Sequence, residues 1–218
     1  MKKRNLLLAA LLLILVAPSF AAKVDTLLVN SPSMNKDVQV VVVTPDAALG
    51  KKAVACPVIY LLHGYGGNAK TWIGVKPDLP QIADEKGIIF VCPDGKNSWY
   101  WDSPKDPSYR YETFVSSELV KYIDGHYKTI ADRKGRAITG LSMGGHGAMW
   151  NAIRHKDTFG AGGSTSGGVD IRPFPLNWDM SKQLGEFAYN KKVWDEHTVI
   201  NQIDKIENGD LAIIIDCG

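Results

Sequence analysis

Hydrophobic and polar positions along the chain alternate between two periods. Thr26–Asn30 and Val38–Thr44 are β-rich runs separated by the turn-forming SPSMNKD, which predicts an N-terminal antiparallel pair. Val58–Leu62, preceded by Pro57, is continuously apolar, as expected of a strand buried on both faces of a parallel sheet. A short helix is predicted over Asp78–Glu85, stopping at Gly87, and a further buried strand over Ile88–Cys92 closes at Pro93-Asp94-Gly95. Lys96–Tyr111 has no sustained period and reads as a polar and aromatic loop. Glu112–Tyr127 then places Val115, Leu119, Val120 and Ile123 on one helical face. Arg136–Thr139 is apolar enough to lead into a second turn, and Met143–His155 continues as helix. Phe159–Thr165 is a glycine-rich strand candidate, Asp170–Asp179 is irregular, Val193–Ile206 is predicted helical, and Leu211–Ile215 is predicted to be another buried strand. This alternation, with no internal repeat, implies an α/β fold with a mostly parallel, doubly wound sheet.

The first residues stand apart from that pattern. Lys2, Lys3 and Arg4 precede an apolar stretch from Leu6 to Val16 and a Ser19-Phe20-Ala21 cleavage signature, which reads as a secretory signal peptide over residues 1–22. The stretch is well short of the ~20 apolar residues needed to span a bilayer, so no stable membrane anchor is expected after cleavage. Residues 23–218 then form a single domain, secreted or periplasmic. Loss of the three basic residues takes the formal charge from +2 to −1, which gives no footing for nucleic acid. The three cysteines, Cys56, Cys92 and Cys217, lie in or beside predicted strands and read as buried thiols. No pattern with metal-ligand spacing is present, so neither a metal nor another cofactor is expected.

Candidate chemistry centres on Gly140-Leu141-Ser142-Met143-Gly144, a G-x-S-x-G set between a predicted strand and a predicted helix. A serine at such a sharp turn projects its hydroxyl from the sheet edge, and the flanking glycines remove Cβ atoms that would collide. Ser142 is the candidate nucleophile. The backbone N–H of Met143 and that of Tyr65, in the His63-Gly64-Tyr65-Gly66-Gly67 turn, are the candidate oxyanion donors.

LLHGYGG at 61–67, PDG at 93–95, SWYWDS at 98–103, ELVKYID at 118–124 and GLSMGGHGA at 140–148 together resemble the esterase D or "putative esterase" family of α/β-hydrolases. That family includes S-formylglutathione hydrolases, tributyrin-type esterases, feruloyl and acetyl-xylan esterases, and mycolyltransferases. The resemblance implies an α/β-hydrolase fold and a serine carboxylesterase acting through an acyl-enzyme on a small-molecule or polysaccharide-linked ester. It also implies a triad acid and histidine beyond a strand like LAIIIDCG. Asp216 is read as structural, and none of His63, His126, His146, His155 and His197 takes the expected place, so both triad partners are read as absent and the chain as truncated before a last strand and helix. Trp99, Tyr100 and Trp101 are candidate substrate contacts, with packing as the alternative role. Two rival functions stay open: a non-catalytic carbohydrate-binding or scaffold protein, and an acyltransferase of the same family.

Overall fold

The computed structural model describes residues 22–217; the signal-peptide reading falls on residues outside that range, apart from Ala22. The strands are β1 (Lys23–Ser31), β2 (Lys36–Thr44), β3 (Val58–Leu62), β4 (Ile89–Pro93), β5 (Arg136–Gly140), β6 (Ala161–Thr165) and β7 (Ala212–Asp216). They form one sheet in the order β1-β2-β4-β3-β5-β6-β7. β1 pairs antiparallel with β2 and β2 with β4, and every pairing from β4 to β7 is parallel. Between them run α1 (Thr71–Val75), α2 (Leu79–Lys86), α3 (residues 111–126), α4 (Met143–Arg154), α5 (Met180–Leu184) and α6 (Phe187–Glu196).

Period-two alternation explains why the central strands are apolar throughout. Val40 and Val42 of β2, with Val58, Tyr60 and Leu62 of β3, enter the core shared with α3 and α4. Val41 and Val43, with Leu61, Phe90 and Cys92, enter the core under α2 on the other face. Both faces are covered, so no position on these strands needs to be polar. Helix α2 ends where expected: Gly87 adopts φ 63° as its left-handed C-cap. Helix α3 contains a π-helical segment, Phe114–Glu118, a feature that hydrophobic spacing alone does not reveal.

Three expectations need correction. β7 is not buried: Ile214 is 76% and Ile215 64% exposed, because β7 pairs only with β6 and nothing among the described residues covers its faces or its outer edge. Cys56 and Cys92 are buried, but Cys217 is exposed. The helix expected over Val193–Ile206 divides into α6, which starts earlier at Phe187, and a 3-10 segment, Val199–Lys205. Thr198 sits at the break, where its hydroxyl donates to the Trp194 carbonyl at 2.8 Å.

Candidate active site

Ser142 occupies the turn between the carboxyl end of β5 and the start of α4, with φ 55° and ψ −116°. A non-glycine residue at that conformation costs of order 1–3 kcal/mol, so the surroundings must enforce it. They do so through backbone bonds: Ser142 N–H donates to Thr165 O at 2.9 Å, Gly144 N–H to Leu141 O at 2.8 Å, and His146 N–H to Ser142 O at 3.0 Å. The glycines allow the fold-back. A Cβ on Gly140 would lie 2.4 Å from the Gly144 carbonyl, and one on Gly144 would lie 2.2 Å from Leu62 O. Ser142 itself remains exposed while Met143, the next residue, is buried.

The His63–Gly67 turn lies against this elbow; a Cβ on Gly64 would be 3.6 Å from Ser142 Cβ. The turn is shaped by a buried histidine and a buried tyrosine. His63 Nε2 accepts the Gly95 N–H at 2.9 Å, which leaves Nδ1 protonated to donate to Gly64 O at 2.8 Å. The Tyr100 hydroxyl accepts His63 N–H at 3.0 Å and donates to His63 O at 3.3 Å. Gly66 N–H donates to Asn97 Oδ1, and Gly67 N–H to Gly64 O. Among the turn, loop and cap bonds of the described residues, the N–H groups of Tyr65 and Met143 take no backbone partner.

Trp99, Tyr100 and Trp101 are not surface contacts. Their relative exposures are 4%, 0% and 0%, because the loop folds inward beneath α4. Gly147 on that helix leaves the space filled by the Tyr100 ring, which a Cβ there would enter at 2.4 Å. Trp99 and Trp101 stack at 5.7 Å, and both meet His146 edge-on, at 5.1 and 5.0 Å. Burial pushes the His146 pKa down to about 4, against the opposing hydrogen bond from its Nδ1 to Gly168 O. The exposed aromatic side chains near the turn come from elsewhere: Tyr65 itself, whose hydroxyl donates to Asp179 at 2.8 Å, and Trp178, which leans on Trp99 and Phe174. Trp178, among the turn formers of a segment read as irregular, was the one available signal for them.

Each of the five histidine rings has a hydrogen-bond partner other than Ser142. His63 and His146 are engaged as described, His126 bonds Tyr122 O, His155 bonds Glu112, and His197 bonds Val193 O. Glu112 is buried at the foot of α4, far along that helix from Ser142. Burial raises its pKa, but hydrogen bonds from His155, Arg154 and Trp150 outweigh this and bring it to about 2. Asp216 sits on β7 opposite Thr165, and its carbonyl accepts Ser166 N–H. Among the described residues no group of histidine, cysteine and carboxylate side chains could hold a metal ion.

The family model described as Putative esterase matches residues 31–218. An esterase of Mycobacterium tuberculosis is 28% identical over 169 residues, covering 70% of this chain and 36% of that protein. The S-formylglutathione hydrolase of Bos taurus is 26% identical over 196 residues, covering 80% of this chain and 66% of its own length. The chain thus spans little more than a third of the first of these relatives. Among solved structures, a ferulic acid esterase superposes with a TM-score of 0.72 at 29% identity, over 92% of this chain and 80% of that one. An S-formylglutathione hydrolase from Agrobacterium tumefaciens gives 0.73 at 19% identity, over 91% and 87%, a likeness of fold. With its elbow serine, its mixed sheet of α/β-hydrolase order and a family match over nearly all the described residues, the chain belongs to the Putative esterase family of α/β-hydrolases.

Proposed function

We propose that the protein is an exported serine carboxylesterase in which Ser142 Oγ attacks an ester carbonyl, releases the alcohol and holds the acyl group until water removes it. The observation that carries this reading is the exposed Ser142 at φ 55°, beside a turn whose Tyr65 N–H, like that of Met143, is without a backbone partner. Those two N–H groups are assigned to the developing oxyanion, where each donor is worth roughly 10²- to 10³-fold in rate. The proton that leaves Ser142 must pass to a base, and each of the five histidine rings has a hydrogen-bond partner other than Ser142.

The basic residues 2–4, the apolar stretch to Val16 and the small residues Ser19 and Ala21 on either side of Phe20 support export. Export in turn favours an extracellular ester, one linked to a polysaccharide or carrying a feruloyl or acetyl group, as in relatives named ferulic acid esterase and acetyl esterase. A non-catalytic carbohydrate-binding role is the second reading, favoured by the engaged histidines. Release of p-nitrophenol from p-nitrophenyl acetate, compared between the protein and Ser142→Ala, separates the two. A Ser142-dependent rate supports the esterase; equal rates support the scaffold.

A further inference from the structure

One carboxylate far from Ser142 holds the entry to the sheet. The backbone N–H of Ala22, the residue before β1, donates to Asp84 Oδ2 on α2 at 2.7 Å. The other oxygen of the same side chain, Oδ1, accepts Asp46 N–H, also at 2.7 Å. Asp46 opens the 3-10 turn Asp46–Ala48 just past β2, and Lys23 lies opposite Thr44 in the register of the two strands. Asp84 thus ties the start of β1 and the exit of β2 to α2. Ala22 is itself half-buried and packs against the core beneath that helix.

Two peptide N–H groups satisfy the hydrogen bonding of this half-buried carboxylate but not its charge. Among the described residues no lysine, arginine or histidine reaches Asp84 within ion-pair distance. The sequence can supply a cation at that very nitrogen. Ser19 and Ala21 are the small residues that a signal peptidase requires third and first before the bond between Ala21 and Ala22, whereas a cut one residue later sets the bulky Phe20 in the third place. In the hydrolysis, water adds across the peptide bond. The Ala21 carbonyl carbon takes its oxygen and leaves as a carboxylate, and the Ala22 nitrogen takes both its hydrogens and becomes an ammonium.

We infer that the chain is processed between Ala21 and Ala22 and that the Ala22 ammonium so released pairs with Asp84. The leader is then residues 1–21, one residue shorter than the sequence alone suggests. A hydrogen bond between two ionised groups is roughly twice as strong as one between neutral groups, so processing tightens a contact that the uncut chain makes with a peptide N–H. A cut after Ala22 has the opposite effect, since it removes the donor on Asp84 Oδ2 and an alanine from the core beneath α2. This inference rests on the exported reading and not on the role of Ser142.

The test starts from the full chain, expressed with its leader in a bacterial host. Product recovered outside the cytoplasm is measured by mass spectrometry, intact and as its N-terminal peptide. Ala22 is expected as the first residue. Lys23 or any other first residue overturns the inference and leaves the exported reading standing, whereas a chain that keeps its leader in every cell fraction overturns both. The pairing is read from the rate at which 2-pyridinecarboxaldehyde, which condenses with a free N-terminal amine, labels the folded product. Asp84→Asn preserves the shape of the side chain and removes its charge. It is expected to be labelled about tenfold faster than the unmodified protein, the loss of roughly one charge-assisted hydrogen bond, with the two rates equal in urea. Glu85→Gln, which removes the next carboxylate along α2, is expected to leave the rate unchanged. Equal labelling of the folded unmodified protein and Asp84→Asn, or the same acceleration in Glu85→Gln, overturns the pairing.

Discussion

Replacing His146 by Phe should remove a large part of the protein's acid sensitivity. The ring is fully buried, edge-on to Trp99 and Trp101, and its Nδ1 meets Gly168 O at 2.8 Å. Burial lowers its pKa from 6.5 to about 4. Between those values the unfolded chain holds a proton that the fold excludes, so the contribution is complete above pH 6.5 and is lost as pH falls towards 4. A difference of about 2.5 pKa units corresponds to ~3 kcal/mol over that window. His197, also lowered by burial, acts in the same direction, and Glu112, with its pKa near 2, adds its loss only below about pH 4.5. The informative quantity is therefore the stability of His146→Phe minus that of the unmodified protein, from urea unfolding followed by tryptophan fluorescence. At pH 7 the variant should be less stable, having lost the Gly168 hydrogen bond, and the difference should move in the variant's favour by ~3 kcal/mol by pH 4. Parallel pH profiles for the two proteins would refute the buried, neutral His146.

Two further outcomes follow from geometry. Gly144→Ala would set a Cβ 2.2 Å from Leu62 O and 2.7 Å from His63 O. Neither backbone atom can yield cheaply, so a loss of about 3 kcal/mol or more is expected in the same urea assay; a change within ~0.5 kcal/mol would mean the elbow is looser than described. Ile214→Lys places a charge on the exposed edge strand β7, whose Ile213–Ile215 run is a template for pairing between molecules. Light scattering should show less concentration-dependent association with unfolding stability unchanged, and equal association would contradict that role for β7.

The elements set by local chemistry were readable from the sequence. The apolar runs of β3 and β4, the glycine stop of α2 and the G-x-S-x-G turn each carry their cause within a few residues. What could not be read depends on partners distant in the chain. Trp99–Trp101 lie in a polar, proline-containing loop, and nothing nearby announces that α4, more than forty residues later, brings His146 and Gly147 to bury them. Leu211–Ile215 has the pattern of a covered strand, but pattern cannot say what covers it, and in the structure its isoleucines face outward. The π-helical segment of α3 and the short α1 and α5 were missed because each is too brief to establish a period. At the site, Ser142, Tyr65 and Met143 were placed together by motif alone. The Tyr65 to Asp179 hydrogen bond, across 114 residues, and the contact of Trp178 with Trp99, across 79, were not, since they join segments distant in the chain.

If Ser142 is the nucleophile of an ester-cleaving site, an acyl group must land on it. The protein is mixed with p-nitrophenyl acetate, quenched in acid and digested, and its peptides are mapped by mass spectrometry. A single acetylated serine, Ser142, is expected, with the label absent from Ser142→Ala. Acetyl groups confined to surface lysines, or the same pattern in Ser142→Ala, would contradict it.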